Sequence, residues 1–381
     1  MHFKQAQLGL KRVSMEQKFL AKDQFQQLLN ALQSEGYSLL GPREKQGAIV
    51  YEQFSEVEQL PQGMIDVQQP GRYELKQGET NRLFAWSTAA QSVKPLTFAP
   101  TEKLWHSEKT DGNPLSFTET LPKVKPTAVI GVRACDLAAL ELQDRHFLQK
   151  EYVDPYYEQR RSSLFLVAVN CSHPAETCFC HSTNDGPVAK KGYDIVLTEL
   201  EDGFLIAAGS VGGQVIIDSL SLDNANVEQL QSQTEQEKVA ISKQVRQLPS
   251  CDVAAVLKDR QEHAQWDDIG QRCLSCGNCT AVCPSCFCHS EHDSAPLGSP
   301  IVDHVRQWDS CFNHEHSYIH GIVIRKESKT RYRQWMTHKF SSWLEQYGRS
   351  GCTGCGRCIS WCPVGIDVTQ ELALICGETD E

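Results

Sequence analysis

Eight of the seventeen cysteines in this chain fall into two copies of one spacing. The first copy is Cys273, Cys276, Cys279 and Cys283 followed by Pro284; the second is Cys352, Cys355, Cys358 and Cys362 followed by Pro363. Three thiolates with two residues between them reach three irons of one cubane, while the fourth, turned away at the proline, reaches the partner cluster. On that rule one 4Fe-4S cluster takes Cys273, Cys276, Cys279 and Cys362, and a second takes Cys352, Cys355, Cys358 and Cys283. Gly277, Gly354 and Gly356 suit loops whose backbone must pack close to a cluster and donate N–H groups to its sulfurs. Paired Cys-x-x-Cys also binds zinc, but zinc sites use two pairs, not a repeated quartet ending in Cys-Pro.

A third set lies upstream: Cys135 in Gly131-Val-Arg-Ala-Cys-Asp136, then Cys171, Cys178 and Cys180. Four thiols suffice for a third 4Fe-4S cluster, with buried inert thiols or a zinc site as the alternatives. The pentapeptide Cys-Phe-Cys-His-Ser occurs at Cys178–Ser182 and again at Cys286–Ser290. Cys286 and Cys288 could pack as small hydrophobes, bond near a cluster, or share a site with Cys311; packing is the default. His181 and His289 are not assigned to metal, because an isolated histidine usually serves as a hydrogen-bonding structural residue. Arg325, Lys326, Lys329, Arg331, Arg333 and Lys339 form a basic run that docks an acidic partner, offsets cluster charge or makes a solvated helix face.

The remaining composition narrows the setting. A net charge of −11 argues against a nucleic-acid surface. No apolar run approaches the roughly 18 residues a membrane span needs, and the stretch from Met1 to Lys18 lacks the apolar core of a secretory leader. A cytoplasmic location is therefore expected, where clustered cysteines serve metal or redox chemistry rather than disulfides. The phosphate-binding glycine motifs and the nucleophile and zinc-hydrolase motifs are all missing, which leaves hydrolytic chemistry without support. Gly209, Gly212 and Gly213 read as turn residues.

Elements that could position these cysteines follow from the apolar pattern. Thr127–Val132, Leu164–Val169 and Gln214–Asp218 read as strands, and the first two, if parallel neighbours, would bring Cys135 and Cys171 to one sheet edge. A helix is expected between about Asn224 and Gln247, bridging two halves. Asp303–Trp308 and Tyr332–Tyr347 read as helical. The expected architecture is an α/β N-terminal domain over 1–250 and a mostly helical ferredoxin-type dicluster domain over 251–381. Roughly 70 residues separate the two quartets, so helices from the intervening segment should hold the clusters together.

On these residues the chain resembles the iron-sulfur β subunits of cytoplasmic nickel-iron hydrogenases of the sulfhydrogenase type, and the related A subunit of anaerobic sulfite reductase. The resemblance rests on the paired quartets, the Cys-Phe-Cys extension at Cys286, and the upstream Cys135, Cys171, Cys178 and Cys180. It implies an electron-transfer subunit standing between an FAD- and NAD(P)-binding partner and a catalytic partner, either a nickel-iron hydrogenase or a sulfite reductase subunit. Rival readings are a self-contained flavin-dependent oxidoreductase, a structural zinc protein, and a dicluster protein whose upstream cysteines are bare thiols. The terminal substrate would reside in another polypeptide.

Overall fold

The computed structural model describes residues 17–109, 112 and 114–378. The N-terminal stretch in which no secretory leader is expected lies largely outside them. The main sheet has eight strands in the spatial order Asp223–Asn224, Lys18–Ala21, Gly203–Ala208, Ile195–Glu199, Leu164–Val169, Thr127–Val132, Ser38–Lys45 and Ala48–Gln53. The strands Thr127–Val132 and Leu164–Val169 are parallel neighbours, as the sequence suggests, with Ala128 opposite Phe165 and Ile130 opposite Val167. They read as unbroken apolar runs because both faces are covered. Phe25, Leu28, Leu29 and Leu32 of the helix Phe25–Ser34 pack on one face, and Leu137 and Leu140 of the helix Ala134–Phe147 on the other.

Two expected elements are corrected. Gln214–Asp218 lies in a helix, Val211–Asp218, not a strand. Ser210 starts it by accepting a hydrogen bond from the Gly213 N–H at 3.0 Å, and the helix buries Ile216 and Ile217 while Val211 and Val215 stay exposed. Gly212 and Gly213 are therefore helical; a Cβ on Gly213 would fall 1.8 Å from the Asp194 carbonyl oxygen. Asp303–Trp308 is not helical but belongs to the strand Ile301–Trp308. That strand is rich in β-branched residues, and it finds a long-range partner in Thr101–Glu108 that no local pattern announces. Together with His289–Ser294 and Ser116–Glu119 these strands make a four-stranded sheet drawing on both halves of the chain.

The helix expected near Asn224 spans Val227–Ser242, opened by a capping box between Asn226 and Gln229. Beyond residue 251 the chain mixes strands with short helices, including Val253–Asp259, Gln265–Arg272, Ser328–Thr337, Trp343–Tyr347 and Val368–Cys376. The two quartets sit among these helices, whose buried Leu257, Trp266, Ile269, Trp335, Met336 and Leu372 form one core. No helix among the described residues is long and apolar enough to cross a membrane.

Asp136 and Arg357 join the two halves. Asp136 lies in the first turn of the helix Ala134–Phe147, and Arg357 follows Gly356 in the second quartet. Their side chains meet at 2.9 Å through two N–O contacts with 3% and 1% of their surfaces exposed, and Arg357 Nε donates to the Ala89 carbonyl at 2.6 Å. Removing one member strands the other charge in a low-dielectric interior. Asp136→Ala is expected to cost about 3 to 5 kcal/mol of unfolding free energy, measured by anaerobic denaturant titration.

Candidate iron-sulfur site

Cys273, Cys276, Cys279 and Cys362, far apart in sequence, line one cavity. Cys283, Cys352, Cys355 and Cys358 line a second. These are the two sets that the spacing rule assembles by exchanging the fourth ligand. Cys358 also borders the first cavity, and Trp335 borders both, so the two sites share a wall. Phe312, Tyr332 and Ile366 close the first cavity, while Phe179 and Phe340 close the second.

The donor chemistry fits a cluster in each. Main-chain N–H groups already point at sulfur: Ser275 to Cys273 at 3.4 Å, Gly354 to Cys352 at 3.4 Å, and Ile366 to Cys362 at 3.3 Å. Such bonds stabilise charge on a ligating thiolate. Burial pushes the thiols of Cys279 and Cys358 well above their ordinary range, and takes Cys352 up to about 12, with neighbouring cysteines adding to the rise for Cys279 and Cys358. Several thiolates this close in an apolar core need a cationic centre to neutralise them.

The upstream cysteines join the same region. Cys135 and Cys180 pack directly against Cys355, and the Cys178 thiol points at the Cys355 carbonyl 3.8 Å away. Cys171 lies close enough to raise both Cys178 and Cys180, although burial is the larger cause in each. The strands Thr127–Val132 and Leu164–Val169 carry Cys135 and Cys171 to this edge, and a loop delivers the other two. The second quartet accommodates that loop only because it is glycine-rich. A Cβ on Gly354 would lie 2.5 Å from the Phe179 carbonyl, and one on Gly356 would lie 2.4 Å from the Thr177 carbonyl. Both glycines also have positive φ, 62° and 73°.

The basic run does not form one face. Arg331 is buried and donates to the carbonyls of Phe312, Arg325 and Lys326, whereas Lys326 is exposed. Lys339, one of the run in which offsetting cluster charge is an expected role, stands against the second set. The helix around it widens to a π turn over His338–Ser342, and Lys339 is 4% exposed. Its Nζ donates to Ser285 Oγ at 3.0 Å, to the Gly351 carbonyl at 3.3 Å and to Cys283 Sγ at 3.4 Å. Burial by itself would lower this lysine, but Cys283, Cys286 and Cys352 hold it well above the ordinary range.

Cys286 is buried, and it lines a cleft with Cys288, Lys94, Trp308 and Cys276 of the first quartet, while Cys311 is half-buried. Cys251 and Cys376, outside the clustered cysteines, form a disulfide with Cα atoms 6.4 Å apart.

Residues 272–366 match the family model of the 4Fe-4S dicluster domain. Over 249 residues the chain is 32% identical to sulfhydrogenase 2 subunit beta of Pyrococcus furiosus, covering 64% of this chain and 72% of that protein. No solved structure matches.

Lys339 puts a positive charge against one cluster-binding set. Lys339→Met is expected to lower the midpoint potential of one cluster by on the order of 100 mV, the Coulomb energy of a unit charge about 5 Å away at an effective dielectric near 20. An EPR-monitored redox titration of variant and parent measures it.

Proposed function

The chain belongs to the sulfhydrogenase β-subunit family, and from that membership we propose that it relays electrons between a flavin- and NAD(P)H-handling partner and a catalytic subunit. The catalytic partner would be a nickel-iron hydrogenase or a sulfite or sulfur reductase subunit. The relative's name supports the hydrogenase alternative. We divide the chain for this purpose into 1–250, carrying the third cysteine set, and 251–381, carrying the two quartets.

The observation that carries the reading is the order of the cysteine sets. Cys135 and Cys180 touch Cys355 of the second quartet, and Cys358 of that quartet borders the cavity of the first. The three sets thus make one continuous line. At one end Cys135, Cys178 and Cys180 are buried beside the main sheet; at the other Cys276 is exposed and Leu274 is 64% exposed. Each 4Fe-4S cluster, when bound, takes up and gives back a single electron. Cys273, Cys276, Cys279 and Cys362 would hold one, and Cys352, Cys355, Cys358 and Cys283 a second. Cys135, Cys171, Cys178 and Cys180 would hold a third. Trp335 forms part of the wall that the two cavities share, Phe179 closes the second, and Lys339 with Arg357 would offset negative charge on the middle set. The exposed edge at Leu274 and Cys276 is the natural port for a redox partner.

Iron and acid-labile sulfide on anaerobically prepared protein test this reading, with Cys135→Ser and Cys178→Ser run beside the parent. About twelve irons per chain, falling to about eight in both variants, is the expected result. Eight in all three samples would remove the third cluster, and zinc in place of iron would overturn the relay.

A further inference from the structure

Trp335, Cys358 and Val368 border both quartet cavities. Of the three, Trp335 alone carries a side-chain N–H. It lies in the helix Ser328–Thr337, which turns Arg331, Tyr332, Trp335 and Met336 into the core, and it is 4% exposed. Neighbouring rings fix its plane: Tyr332 meets it edge-on with centroids 5.2 Å apart, and Phe312 lies tilted at 6.1 Å. Arg331, bonded to the Phe312, Arg325 and Lys326 carbonyls, holds the helix in place. Among the described residues the Trp335 Nε1–H has no hydrogen-bond acceptor. The indoles of Trp86, Trp266, Trp308 and Trp343 each have one: the Leu83 carbonyl at 3.2 Å, the Arg260 carbonyl at 2.9 Å, the Phe98 carbonyl at 3.1 Å and His338 Nε2 at 3.1 Å. Trp361 shares the lack, but it stacks on Tyr73 and borders neither cavity. A buried N–H left unpaired is costly enough that folded proteins rarely keep one.

Resting on the relay reading, in which 4Fe-4S clusters fill both cavities, we propose that the Trp335 Nε1–H donates a hydrogen bond to an inorganic sulfide of one of the two clusters and raises that cluster's reduction potential. Sulfide is the acceptor that either cavity would present to this wall. Cys273, Cys352 and Cys362 receive main-chain N–H groups, and Cys283 receives Lys339 Nζ. Those bonds serve ligand sulfurs, and the indole adds a donor where the two cavities meet. A hydrogen bond is stronger to a more negative acceptor, and a reduced cluster carries one more negative charge than an oxidised one. Trp335 therefore favours the reduced state. It does so as a neutral group acting at contact distance, whereas the charge on Lys339 is felt further away. The effect of the indole falls on one cluster of the two.

The test uses the full chain, prepared anaerobically, with the parent beside Trp335→Phe, which keeps an aromatic ring and removes the N–H. In an EPR-monitored redox titration one cluster of the variant should be harder to reduce. Its reduced-to-oxidised ratio at the parent's midpoint should be about tenfold lower, which is ~59 mV for one electron. Water entering beside the smaller ring would act the other way, since solvent favours the more charged reduced state. A raised or unmoved potential in Trp335→Phe would therefore overturn the assignment. Should the variant not fold, the parent alone decides: grown on tryptophan labelled with nitrogen-15 in the indole, its reduced protein should show a nitrogen-15 hyperfine coupling by pulsed EPR, and a spectrum without one overturns the assignment. A parent with no iron-sulfur EPR signal on reduction would overturn the relay and the Trp335 bond together. A parent with both clusters and an unmoved Trp335→Phe would overturn the Trp335 bond alone.

Discussion

A buried charge must find its opposite, and that requirement ties this molecule together at Asp136 and Arg357. Neither can reach water, so the helix that follows the strand Thr127–Val132 and the loop of the second quartet are held in one relative position. Everything nearby inherits that position. Cys135 is the residue before Asp136, and Cys355 lies two before Arg357, so the ion pair brings those two thiols into contact. Glycines on the quartet loop then admit the Cys178–Cys180 segment, whose Phe179 N–H donates to the Gly354 carbonyl at 2.8 Å. An electron-transfer path needs its centres close and fixed, and a buried ion pair fixes them in a way an exposed one would not.

The same logic recurs with a different charge around Lys339. A lysine in an apolar core is costly unless acceptors surround it, and here Ser285 Oγ, the Gly351 carbonyl and Cys283 Sγ supply them. Membership of the sulfhydrogenase β-subunit family and the 4Fe-4S dicluster match give the chain an iron-sulfur role in electron transfer. The π turn over His338–Ser342 turns Lys339 inward, toward Cys283. Arg133 solves a comparable problem without an acidic contact. Buried at 2% exposure, it donates to the carbonyls of Phe84, Trp86, Ser87 and Val169, tying a coil segment to the end of the sheet beside Cys171.

Much of the candidate site was legible because ligand reach is a short-range property. A cubane and its thiolates span only a few residues of loop, so the spacing in Cys273–Cys283 and Cys352–Cys362 already selects the two sets that line the two cavities. The strands Thr127–Val132 and Leu164–Val169 were equally legible, since burial on both faces leaves an uninterrupted apolar run. What escaped depends on partners distant in sequence. Ile301–Trp308 becomes a strand because Thr101–Glu108 pairs with it, and a stretch that short has no decisive period of its own. Gln214–Asp218 becomes helical through a cap at Ser210 that outweighs its β-branched content.

By itself, then, the sequence pointed to iron-sulfur chemistry, grouped the cysteines that line the two cavities and marked the sheet strands nearest the upstream cysteines, all from local spacing and local burial. Only the tertiary structure decided that Cys135 and Cys180 meet Cys355 and that Lys339 turns inward. Each of those contacts joins residues brought together by packing or strand pairing, and their energies come from removing charge and sulfur from water. No spacing rule along one strand or loop encodes that, because the cost of burial exists only once the chain has folded back on itself.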